Sequence, residues 1–118
     1  MSGATGQTMP NAHAASVSYS KVYDYLLNPM HPDNSGKAQF FVGFGFTSLR
    51  WDILRDALQA HPLSNLVANT IGTPHGMKYD VRCHVQSPDG RNPCIRSIWI
   101  IESHVGPDPR LVTAYAYP

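Results

Sequence analysis

From Met77 to Gln86, apolar and polar residues alternate without a break. Met77, Tyr79, Val81, Cys83 and Val85 stand against Lys78, Asp80, Arg82, His84 and Gln86. Successive side chains of a strand point to opposite faces, so this run dictates a strand with one apolar face and one that meets solvent or a ligand. Neighbouring segments extend the pattern. "NLVANTIGT" (65–73) reads as a strand ahead of a "PHG" turn, and "CIRSIWIIE" (94–102) is apolar on both sides, as a central strand is. "RLVTAYAYP" (110–118) alternates again, with Leu111, Thr113, Tyr115 and Tyr117 expected on one face and Val112, Ala114 and Ala116 on the other. Pro88-Asp89-Gly90 signals a hairpin whose register sets Val85 opposite Cys94 and Cys83 diagonal to it. The two cysteines then read as half-buried thiols rather than a disulfide.

The first half has a different period. "SKVYDYLLN" (20–28) places Val22, Tyr23, Leu26 and Leu27 on the stripe of a short helix starting at Ser20, and "NPMHPDNSG" (28–36) is a loop. "KAQFFVGFGF" (37–46) groups Phe40, Phe41 and Phe44 on one helical side, with Ser35 as the cap and Gly43 and Gly45 weakening the end. "TSLRWDILRDALQAHP" (47–62) is the best helical pattern. Ser48 is its expected cap, Leu49, Ile53, Ala57 and Ala60 form its stripe with Leu54 and Leu58 beside it, and Pro62 is its expected stop. The expected fold is α+β, with two to three N-terminal helices packed on a four-stranded antiparallel meander sheet. Residues 1–18, rich in Ser, Gly, Ala and Asn, read as a flexible N-terminal segment ahead of a single domain over 19–118.

Charge narrows the function classes. Nine Lys and Arg against eight Asp and Glu leave a formal +1, too little for a general nucleic-acid or membrane binder but compatible with a local basic groove. No apolar run is long enough to span a membrane, so no membrane partner is expected. The six histidines are scattered with no i, i+4 pair and there is no CxxC, so no metal is expected. There is no Walker loop or nucleophile elbow, and "GFGF" lacks the strand–glycine–helix context of a dinucleotide site, so no cofactor is expected either.

What remains is a polar set of Lys37, His61, Lys78, Arg82, His84, Arg110, Thr113, Tyr115 and Tyr117. Cleavage of RNA by its own 2′-hydroxyl needs a group to take that proton, cations for the phosphorane and an acid for the leaving 5′-oxygen. His and Lys can act as base or acid, Lys and Arg as clamp, and Thr and Tyr as donors to phosphate oxygen. Tyr also offers a stacking face to an unpaired base.

The segments "YLLNPMHPDNSGKAQFFVGFGF", "GMKYDVRCHVQSPDGRNPCIRSIWIIE" and "PRLVTAYAYP" resemble a small bacterial domain family of no assigned function. That family reads as YLLN-x-x-HP, Lys-Ala before Phe-Phe, Gly-x-Lys-Tyr, Pro-Asp-Gly-Arg, Trp-Ile and Leu-Val-Thr-Ala-Tyr-Pro. The likeness runs over about residues 20–118 and carries Lys37, His61, Lys78, Tyr79, Arg91, Arg110, Thr113 and Tyr115 forward as motif positions. Two departures stand out: the end is "TAYAYP", with an added Ala-Tyr, and "RCHV" replaces a glycine-rich strand near residue 83. The layout is similar to the barnase–EndoU–colicin–RelE class of ribonuclease toxins. The resemblance therefore implies a metal-independent endoribonuclease, and the chemistry of the residues themselves, rather than the family, makes Lys37, His61, Lys78 and Thr113 the expected catalytic residues. Tyr79, Arg82, His84, Arg91, Arg110 and Tyr115 would bind substrate. It further implies an RNA substrate, tRNA among the candidates, and a cognate immunity or antitoxin protein. The site of action would be the bacterial cytoplasm, with delivery as the C-terminal part of a larger protein. The rival expectation is a non-catalytic interaction module, antitoxin-like or an accessory protein of a mobile element. Convergence of Lys37, His61, Lys78 and Thr113 in a cleft would favour the nuclease, and their dispersal over a flat face the module.

Overall fold

A computed structural model of the chain describes residues 6–117. The order of elements is a 3₁₀ turn (Ala12–Ala14), a π-helix (Ser20–Leu26), α1 (Lys37–Gly43), α2 (Trp51–Ser64), β1 (Val67–Thr73), β2 (Gly76–His84), β3 (Cys94–Glu102) and β4 (Arg110–Ala116). The strands form one antiparallel sheet in the order β1-β2-β3-β4. This is the expected α+β architecture, helices first and meander last. No helix among the described residues is long and apolar enough to cross a membrane.

The core lies between the helices and the sheet face that carries Tyr79, Val81, Ile95, Trp99, Leu111 and Ala114. The other face carries Lys78, Asp80, Arg82 and His84 from β2, matched across the ladder by Ile100, Ile98, Arg96 and Cys94 of β3. The turn from β1 to β2 needs glycine at 76: φ is +143°, and a Cβ there would sit 2.2 Å from the carbonyl oxygen of Ile101.

A bulge in β4 decides which face the terminal side chains use. Trp99 pairs with Leu111 but Ile98 pairs with Thr113, so Val112 is the extra residue. Leu111 is consequently buried in the core, whereas Thr113 and Tyr115 turn to the opposite face, beside Ile98 and Arg96. The uninterrupted alternation expected over 111–117, with Leu111 beside Thr113, is corrected at this residue.

The N-terminal segment is packed, where a flexible lead-in was expected. The first five residues lie outside the described part. From there Gly6 and Gln7 exchange backbone hydrogen bonds with Val67 of β1, Ser16 pairs with β4 at Leu111, and Met9, Ala12, Ala15 and Val17 are buried. Helical details shift too. The segment from Ser20 is a π-helix, closed by a Val22 C=O to Leu27 N–H bond five residues apart, with the Ser18 hydroxyl accepting from Lys21 N–H. Helix α2 starts at Trp51, not near Ser48, and turns Leu54, Leu58 and His61 inward, leaving Leu49 and Ile53 exposed. It continues through Pro62 to Ser64, with the Asn65 amide donating to the carbonyls of His61 and His84 at its end. The β2–β3 register sets His84, not Val85, opposite Cys94. Both thiols are free and half-buried, and burial together with a hydrogen bond to Cys83 pushes the Cys94 thiol up to about 11.

Candidate functional site

The end of the π-helix and the start of α1 are joined by the side chain of Asn34, which is buried. Its Nδ2 donates to the carbonyls of Tyr25 (2.6 Å) and Leu26 (3.3 Å), and its Oδ1 accepts from Ala38 N–H (2.9 Å). The N-cap position of α1 is Gly36 (φ 83°), and the first-turn N–H of Ala38 is satisfied by the Asn34 side chain rather than by the expected Ser35, which adopts a positive φ of 53°. The clamp fixes Tyr25 and Lys37 relative to each other. Both reach β4, the edge strand: the Tyr25 hydroxyl and Thr113 Oγ1 share a hydrogen bond of 3.0 Å, and Lys37 Nζ lies over the rings of Tyr25 (5.6 Å) and Tyr115 (5.7 Å).

Beside this group is a cavity of about 540 Å³, lined by Ser18, Lys21, Asp24, Tyr25, His31 and Thr113 among others. Its imidazole is oriented. The Asp33 N–H donates to His31 Nδ1 (3.1 Å), which puts the ring proton of the neutral form on Nε2, and the ring meets that of Tyr25 edge-on at 5.0 Å. Lys21 Nζ lies 5.3 Å from the same tyrosine ring. Cations, hydroxyls and an imidazole thus surround Tyr25, with the carboxylates of Asp24 and Asp33 at the cavity wall.

Tyr115 joins this group to a second one. Arg96 lies 5.4 Å from its ring, and Arg96 and Arg82, directly opposite each other on β3 and β2, share one carboxylate. Asp80 Oδ2 accepts from Arg96 Nη2 (2.7 Å) and from Arg82 Nη2 (2.8 Å) and Nε (3.1 Å). Burial pushes the Asp80 carboxyl up, but the hydrogen bonds from Arg96 and Arg82 outweigh it and hold the group below its ordinary value. Tyr117 completes this group, its ring over Arg82 at 4.8 Å and its hydroxyl 3.3 Å from Arg82 Nη1.

Of the residues named from the sequence, Lys37, Thr113 and Tyr115 come together, with Arg82 joined to them through Arg96. Lys78 and His84 flank Asp80 and Arg82 on the same face of β2, and His84 Nδ1 is bonded to the carbonyl of Asn92 (2.8 Å). The others are elsewhere. His61 lies on the helix-covered face, only 2% exposed. A carbonyl can only accept, so His61 Nε2–H donates to Cys83 C=O (2.8 Å), and Nδ1 accepts from the Ser97 hydroxyl (2.7 Å), whose oxygen accepts from Trp99 Nε1–H (2.8 Å). Burial holds its pKa below the usual histidine value, against a smaller upward pull from the Cys83 carbonyl. This is a satisfied core histidine, and its expected place beside Lys37 is corrected. Tyr79 is likewise buried in the core, with its phenol pushed up by burial. Arg91 ties the β2–β3 loop to the end of α1, donating to Asp89 and to Gly43 C=O (2.6 Å) and lying over Phe44. Arg110 pairs with Glu102.

Sequence reasoning missed Tyr25, His31, Asn34, Asp80 and Arg96. For His31 and Asn34 a signal existed, since both fall in the "HPDNSGKA" stretch between two helical patterns, where a loop gathers turn-forming residues that caps and sites also use. Asp80 and Arg96 carried only strand alternation. Among the described residues no group of three or more His, Cys, Asp or Glu is arranged to hold a metal.

No curated protein and no solved structure matches the chain significantly. One family model does match, over residues 8–118, and that range takes in the core positions of the N-terminal segment, the Asn34 clamp and the whole sheet. The chain belongs to the family described as a domain of unknown function, DUF6883.

Proposed function

We propose that the chain is a toxin-type endoribonuclease domain that cleaves RNA through attack of a 2′-hydroxyl on the adjacent phosphate, without a metal ion. The observation that carries this reading is the setting of Lys37, its ammonium over two tyrosine rings beside a Tyr25–Thr113 hydroxyl pair, next to a cavity that His31 also lines. In the reaction the 2′-oxygen bonds to phosphorus as the P–O5′ bond breaks, giving a 2′,3′-cyclic phosphate and a 5′-hydroxyl. Asp24 and Asp33 line the cavity as acceptors for the 2′-proton. Lys37 and Lys21 oppose the charge of the phosphorane, and the Lys37 ammonium is the proton source for the leaving 5′-oxygen. The Tyr25 and Thr113 hydroxyls and the Nε2–H of His31 are donors to phosphate oxygens. His61 has no part in this scheme, and Lys78 and Arg110 give up the phosphate-holding role to Lys37 and Lys21. The resemblance to ribonuclease toxins supports the same reading. It adds the expectation that the domain acts in the bacterial cytoplasm as the C-terminal part of a larger protein, countered by an immunity or antitoxin protein.

A second reading, a non-catalytic interaction module, draws on an exposed aromatic group. Tyr19 stacks on Tyr23 at 5.1 Å and meets Trp51 edge-on at 4.8 Å, with Tyr19 and Tyr23 both exposed. Inducible expression in bacteria separates the two. Wild type is expected to arrest growth and leave discrete RNA fragments, with Lys37→Ala and Thr113→Val each restoring growth and intact RNA. Healthy growth and intact RNA with soluble, folded wild type would reject the nuclease.

A further inference from the structure

Two arginines directly opposite each other on neighbouring strands repel, and such like-charge pairs weaken a sheet. Arg82 and Arg96 are such a pair, and the Asp80 carboxylate between them neutralises one charge and leaves one. Both arginine side chains remain 30% exposed, and the two terminal tyrosine rings lie against them, Tyr115 on Arg96 and Tyr117 on Arg82. Tyr117 is 37% exposed. Through Tyr115 this group is continuous with Lys37 and the cavity, and Thr113 to Tyr117 spans roughly 13 Å at about 3.3 Å per strand residue.

We infer that Arg82, Arg96 and Tyr117 form a subsite for a nucleotide flanking the cleaved phosphate, which makes the substrate a single-stranded RNA segment. The excess charge of the arginine pair takes a backbone phosphate, and the Tyr117 ring takes an unpaired base. A base inside a duplex is stacked on its neighbours and cannot lie on the ring. The inference rests on the nuclease reading and names its substrate class.

The test is a fluorescence-anisotropy titration of the full chain with a short, labelled, mixed-sequence RNA. The RNA carries 2′-O-methyl groups throughout and so cannot be cleaved. The same protein is assayed in parallel for cleavage of the unmodified strand. Wild type is expected to bind the single strand and to bind its duplex at least tenfold more weakly. Tyr117→Ala should weaken single-strand binding about tenfold, and Tyr117→Phe, which keeps the ring, should restore it. Arg82→Gln should lower the slope of log affinity against log salt by about one. Binding unchanged in Tyr117→Ala and Arg82→Gln, or equal binding to duplex, overturns the subsite. If wild type cleaves RNA but does not bind the modified strand, the subsite fails while the nuclease stands. Neither binding nor cleavage overturns both, and is the result expected if this face serves a protein partner.

Discussion

At the scale of single residues, His61 shows how surroundings assign a titratable side chain its role. His61 is buried with both ring nitrogens bonded in the neutral form, so a proton on Nδ1 would displace the Ser97 hydroxyl hydrogen that it now accepts. Its pKa is therefore lowered in the fold, chiefly by burial, from the 6.5 of the unfolded chain. Below 6.5 the unfolded state binds the proton first, so His61 contributes stability fully above that pH and loses it as pH falls. Thermal unfolding should shift to lower temperature between pH 7 and pH 5, and His61→Gln should flatten that dependence. A melting temperature as steep in His61→Gln as in wild type over that range would show that His61 does not control it. Carboxylates held low, such as Asp80, act further down, because their contribution is present above 3.8 and is lost only as pH falls below it. The histidine was partly legible. Leu54, Leu58 and His61 sit at i, i+4 and i+7, so the sequence carried the true stripe, but Leu49, Ile53 and Ala57 offered an equally regular one. Periodicity alone could not choose between two stripes roughly 100° apart on a helix of 3.6 residues per turn.

At the scale of elements, two local devices build the site. The Val112 bulge sends Leu111 inward and Thr113 outward, and the Asn34 side chain holds the π-helix against α1. Neither changes the hydrophobic pattern. A bulge leaves the alternation of residue types intact while shifting which face each one takes, so "RLVTAYAYP" looked regular. The meander itself was legible because one buried face imposes period two on every strand. Asn34→Ala removes the acceptor of the Ala38 N–H in the first turn of α1 and the side-chain donor to the buried carbonyl of Leu26, while the Tyr25 carbonyl keeps its bond from Asn28 N–H. The substitution should destabilise the fold by about 2–4 kcal/mol in chemical denaturation. It should also reduce RNA cleavage at temperatures where the variant is still folded, because Tyr25 and Lys37 lose their common tether. A loss below about 0.5 kcal/mol would mean that the loop holds these elements without Asn34.

At the scale of the molecule, the sheet separates two histories of polar residues. On the helix-covered side, His61, Ser97 and Tyr79 serve the core, and on the other side Asp80, Arg82, Arg96, Thr113 and Tyr115 are gathered with Lys37 at the β4 edge. The N-terminal segment braces both sheet edges, at Val67 and at Leu111, which a composition of small polar residues did not announce. A formal charge of only +1 fits this arrangement, since cations grouped beside one cavity can hold one phosphate without a basic surface. In the proposed function the Lys37 side of the sheet cleaves RNA and the His61 side does not. The measurement that tests it most directly is end-group analysis of single-stranded RNA incubated with the purified protein in excess chelator. Wild type should release fragments ending in 2′,3′-cyclic phosphate, Lys37→Ala should be at least about a hundredfold slower, and His61→Gln should cleave at a comparable rate wherever it is folded. No fragments from folded wild type, or equal rates for wild type and Lys37→Ala, would contradict it.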